Sequence, residues 1–98
     1  MLNLFTQTNR RLKDIGYLGD VHNWNQIVHW FIVKADCLPY VILLPKGFKG
    51  CMHVRNNFIV STVMSNQKSI GYVHAQDKAI NLCIDYYIDK NNLNIPVE

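Results

Sequence analysis

Between Ile27 and Val73 the apolar residues come in short runs of β-branched and aromatic side chains broken by Pro, Gly, Asn and Ser, and from Ala75 their spacing changes to that of a helix. That change of period constrains the fold more than any other feature, because a strand presents alternate residues to one face whereas a helix presents every third or fourth. In the run Ile27-Val28-His29-Trp30-Phe31-Ile32-Val33 both alternating faces are apolar apart from His29, which predicts a central strand covered on both sides. Lys34 to Pro39 predicts a turn, and Tyr40 to Leu44 a second strand closed by Pro45-Lys46-Gly47, the two strands forming an antiparallel hairpin. Cys51 to Arg55 and Phe58 to Met64 predict two further strands joined at Asn56-Asn57, a pair that tolerates positive φ. After the turn Ser65-Asn66-Gln67-Lys68, Ser69 to Val73 predicts a short fifth strand.

In the helical segment Ala79, Leu82, Cys83 and Tyr86 form one stripe and Ile80, Ile84, Tyr87 and Ile88 a second, so more than half the circumference is apolar. Such coverage is met either by the sheet and the N-terminal helix or by a second copy of the chain, which leaves a homodimer through the C-terminal helix open. Near the start, Phe5, Thr8, Leu12 and Ile15 recur at helical spacing, with Thr6 or Thr8 available as a cap and Gly16 as a stop, which predicts a helix over 7–15. Residues 16–26 carry two glycines and two asparagines and read as a loop decorated by Tyr17, His22 and Trp24. The expected fold is α+β: an N-terminal helix, a five-stranded antiparallel sheet and a C-terminal helix packed on it. With 98 residues, 49% of them hydrophobic, the chain is one domain, divided into helix, loop and hairpin (1–47), a three-strand-plus-helix unit (48–90) and a tail (91–98).

Charge is distributed unevenly. The formal net charge is +3, yet no acidic residue lies between Asp36 and Asp77, an interval that holds Lys46, Lys49, Arg55 and Lys68 together with His53 and His74. Cations gathered on one face raise a local potential; the plainer alternative is a mildly basic solvated surface. Cys37, Cys51 and Cys83 are odd in number and lack a CxxC pair, so neither a disulfide framework nor a zinc cluster is expected, and a reducing compartment fits. No stretch reaches the apolar length of a membrane span, and the N-terminus lacks a basic segment followed by a long apolar run; a cytoplasmic protein without membrane attachment is expected.

Catalysis by a nucleophile and base needs a Cys or Ser beside a His oriented by a third group, and nothing in the residue spacing proposes one. Cys51-Met52-His53 and His74 lack the close pairs of a metal site, and Asp77, Asp85 and Asp89 on the last helix have no evident base or metal partner. The reading is therefore non-enzymatic, with no cofactor and no metal. Nucleic-acid binding draws the most support: a strand bearing His53 and Arg55, framed by Lys46, Lys49 and Lys68 at the turns, spaces cations as a phosphate backbone requires. So few cations predict weak, salt-sensitive association.

Phe48-Lys49-Gly50-Cys51 opening three strands and a helix, Asn57-Phe58-Ile59-Val60-Ser61 in the middle strand and Ile70-Gly71-Tyr72 before the helix resemble the ethylene-response-factor type of DNA-binding domain, whose relatives occur in phage integrases and homing endonucleases. Gly71 and Ala79 keep that family's Gly-to-Ala separation, and Asp77 stands where an acidic residue is usual. The resemblance, confined to 48–88, implies a three-stranded sheet that reads DNA. Of the arginines and tryptophans that the family carries on its strands, this chain has only Arg55, with His53 beside it, and residues 1–47 have no counterpart.

The expected function is a small DNA-binding accessory or regulatory protein of phage or mobile-element type. The rival expectation is a small inhibitor that docks on a host protein, of the phage anti-defence kind, using Tyr17, His22 and Trp24.

Overall fold

The computed structural model describes residues 2–56, 59–64 and 71–93, the last eight strand residues (55, 56 and 59–64) by their backbone alone. Three helices and three strands follow in the order α1 (Thr6–Asp14), α2 (Trp24–Ala35), β1 (Cys37–Leu44), β2 (Gly47–Asn56), β3 (Ile59–Met64) and α3 (Tyr72–Lys90). The strands form one antiparallel sheet in the order β1-β2-β3.

The class is α+β with an antiparallel sheet, but the five-stranded arrangement is corrected. Ile27 to Val33, expected as the central strand, lies inside α2. Asn23 caps that helix through its side-chain oxygen, which accepts from the Gln26 amide at 3.1 Å, so two residues expected in the loop, Asn23 and Trp24, begin a helix. Ile27, Phe31 and Ala35, each four residues apart, bury one stripe, and Asp36 closes the helix in the left-handed region at φ 52°. Ile32 and Val33 stay exposed at 44% and 62%, and those two outward residues are what made both strand faces look apolar. The hairpin partner of 40–44 is accordingly β2 and not the expected 27–33, with the register running from Leu44↔Gly47 at the turn to Cys37↔Val54 at the far end. Tyr72 and Val73, expected in a fifth strand, form the first turn of α3; Ser69 and Ile70 lie outside the described residues, as do the Asn57-Phe58 and Ser65–Lys68 turn segments and the end of the tail. The strands joined to α3 thus begin at Cys37, upstream of the unit expected over 48–90.

α1 ends at Gly16, whose φ of 102° permits the Tyr17 amide to reach the Leu12 carbonyl at 3.0 Å and its own amide to reach Lys13. No threonine side chain caps its start. α3 lies across β2 and β1 and carries α1 and α2 on its flanks. Gly50 sets how close that helix comes: a Cβ there would meet the Ala75 carbonyl oxygen and stand 2.8 Å from the Ala79 amide nitrogen. Ala75 and Ala79 are themselves fully buried, so strand and helix touch backbone to backbone. One core follows, built from Leu12, Ile15, Tyr17, Ile27, Phe31, Cys37, Met52, Val54, Ile80 and Ile84 among others.

Candidate functional site

Side chains alternate across a strand, and the register divides the sheet into two faces. Cys37, Met52 and Val54 belong to the core, and Gly50 abuts α3, so this parity faces the helices. Leu38, Tyr40, Ile42 and Leu44 of β1, opposite His53, Cys51, Lys49 and Gly47 of β2, make up the other face. Among the described residues no helix covers it.

Tyr40 stands directly opposite Cys51, and its ring centroid lies 6.1 Å from that of His53 at 49°. The small cysteine leaves room for the larger ring beside it, which explains a fully buried side chain on a face without helices. Burial pushes the Cys51 thiol up from its ordinary range, and a hydrogen bond with Tyr40 and the Lys49 charge oppose that shift. The thiol donates to the Lys49 carbonyl at 3.7 Å. His53 is half-buried, and its Nε2, screened from solvent, has no hydrogen-bond partner among the described residues.

The expected nucleic-acid residues fall into three groups. Lys49 and His53 share the helix-free face, and Lys46 is exposed in the turn at its edge. Arg55 holds a backbone position in β2 paired with Val60, and Lys68 lies outside the described residues. Tyr40, Leu38 and Ile42 were missed by sequence reasoning; their signal is alternation, which becomes legible only with the pairing to β2.

The expected docking residues are not one surface. Tyr17 is 1% exposed, its hydroxyl donating to the Asp20 carbonyl at 2.7 Å, and burial pushes its phenol up. His22 Nδ1 is 2.9 Å from the Leu2 carbonyl oxygen, and Trp24 packs half-buried against the core as a lid. Nearby, Leu18, Gln26, His29, Trp30, Val33 and Lys34 line an open groove of about 420 Å³, with Leu18 92% exposed.

Elsewhere the polar residues serve the fold. Asp77, 5% exposed, accepts from the Phe5 amide at 2.8 Å, the Thr8 hydroxyl at 3.0 Å and the Asn81 amide at 2.9 Å. Arg11 continues this clasp to Asn81 and Asp85. The stripes of α3 are turned inward, with Ile80, Cys83 and Ile84 buried and Leu82, Tyr86, Tyr87 and Ile88 packed against the core. Among the described residues no three His, Cys, Asp or Glu side chains converge as metal ligands, and no helix is long and apolar enough to cross a membrane.

The class these elements define is an α+β domain with helices layered on one side of a three-stranded antiparallel sheet. No family model matches the chain, and no curated protein or solved structure is significantly similar to it.

Proposed function

We propose that the protein is a small non-enzymatic nucleic-acid-binding accessory or regulatory factor, acting in the cytoplasm through the helix-free face of its sheet. One observation carries this reading: that face joins Tyr40, Lys49 and His53, with Lys46 at its rim, in a part of the chain that has no carboxylate from residue 37 to 76. A helix-free sheet face that gathers cations and aromatic rings, without a competing acid, suits a polyanion carrying stackable bases. A fluorescence titration with labelled DNA at low and at physiological salt tests it. Binding at low salt that weakens steeply as salt is added is expected; no binding even at low salt overturns it.

A second reading, a docking protein that inhibits a host factor, is favoured by the groove between the 16–19 segment and α2, where Leu18 and Val33 are exposed at 92% and 62%. Leu18→Asp and Val33→Asp abolish such docking and leave DNA binding intact; DNA binding lost with them argues against a separate surface.

A further inference from the structure

We infer that the helix-free face takes single-stranded rather than duplex nucleic acid, with Tyr40 as the surface on which a base stacks and Lys46 and Lys49 as its phosphate contacts. The inference rests on the proposed function and narrows its ligand. Along β1 the face is a row of Leu38, Tyr40, Ile42 and Leu44, with Leu38 exposed at 37%. A duplex turns phosphates and base edges outward and hides the base faces in its stack, so it has nothing apolar to lay on such a row. An unpaired strand offers the base faces themselves.

Tyr40 is placed for that contact. Its ring lies beside the small, fully buried Cys51, directly opposite it in the register, and within 6.1 Å of the His53 ring, so the two rings form a shelf across β1 and β2. The Ile42↔Lys49 pair is two residues along the strand from Tyr40↔Cys51, about 7 Å away, so a stacked base and a phosphate at Lys49 belong to the same or adjacent nucleotides. Lys46 extends the cationic end beyond it, in the turn.

The test is fluorescence anisotropy with a labelled oligothymidine of about 12 nucleotides and with a duplex of equal length, each at about 50 mM salt and again at physiological salt. Oligothymidine is expected to bind about tenfold or more tightly than the duplex. Tyr40→Leu, which keeps apolar bulk and strand propensity but removes the π-face, is expected to weaken oligothymidine binding about tenfold, and Tyr40→Phe to leave it within about twofold. Thermal melts of both variants separate a stacking defect from a folding defect. Duplex binding equal to or tighter than oligothymidine overturns the single-strand inference and leaves the nucleic-acid reading standing. Tyr40→Leu binding like the parent protein overturns the stacking role. Failure of both ligands at low salt removes the proposed function itself.

Discussion

Between α1 and α3, Asp77 accepts hydrogen bonds from the Phe5 amide, the Thr8 hydroxyl and the Asn81 amide, and Arg11 ties the same region to Asp85. On the helix-free side of the sheet, His53 Nε2 has no partner among the described residues and the neighbouring lysines have no carboxylate within the strands to answer them. A buried polar group left unpaired costs about 1–3 kcal/mol, so chains that fold well satisfy most of them. Among the described residues the α1–α3 clasp pairs its carboxylates with donors, while Asn9 Oδ1 in α1 is buried without a partner, and the sheet face carries lysines with no carboxylate in the strands beside them. That difference, more than total charge, separates the part of the molecule that holds the fold from the part available for work.

The comparison breaks first if the layer contact can be loosened without consequence. Gly50→Ala places a Cβ against the backbone of Ala75 and Ala79, atoms that cannot rotate away, and should remove about 3 kcal/mol in urea unfolding. A cost below about 1 kcal/mol would mean that α3 does not sit directly on β2. Next in size, Asp77→Ala strands three donors in a buried site and should cost about 2 kcal/mol, whereas Asp77→Asn keeps acceptor capacity and costs less. Neither change alters DNA affinity per folded molecule if the two regions are independent.

Alkaline stability gives a third effect. Cys83 is fully buried, and burial together with the adjacent Cys37 thiol pushes it far above its ordinary value of 9.0, so the folded chain holds a proton that the unfolded chain releases. This contribution is complete below pH 9.0 and is lost as pH rises past it, at about 1.4 kcal/mol per pH unit for this thiol. Thermal melts between about pH 8 and 10 should show that slope, and a Cys83→Val variant should show it reduced. Native protein should also resist thiol reagents at Cys37 and Cys83.

How much of this was legible in the sequence differs between the same two regions. The change of period at Ala75 marked α3, and Gly16 marked the end of α1, because helical spacing and a left-handed stop are local signals. Residues 27–33 read as a strand because their β-branched and aromatic content masks the four-residue spacing of Ile27, Phe31 and Ala35 and the capping Asn23. Burial of that stripe against the core decides the matter, and propensity yields to it. For the sheet face, Lys46, Lys49 and His53 were visible as charges, but Tyr40 joins them only through the Tyr40↔Cys51 register, a contact across the turn that composition does not encode.

The smallest effect on stability tests the sheet face most directly. Lys46 is exposed in a turn and Lys49 is half-buried on the helix-free face, so replacing either with Ala removes no core packing and should change stability by less than about 0.5 kcal/mol. Each releases about one fewer counterion on binding, so the slope of log K against log salt should fall by about 0.9 for a duplex and about 0.7 for a single strand. Those two slopes distinguish the ligand as well as the site, because the same lysine reports a different charge density on each. An unchanged slope in both variants, with stability also unchanged, would place the phosphate contacts away from the β1–β2 end and leave the two regions of the molecule without the division of labour argued for them.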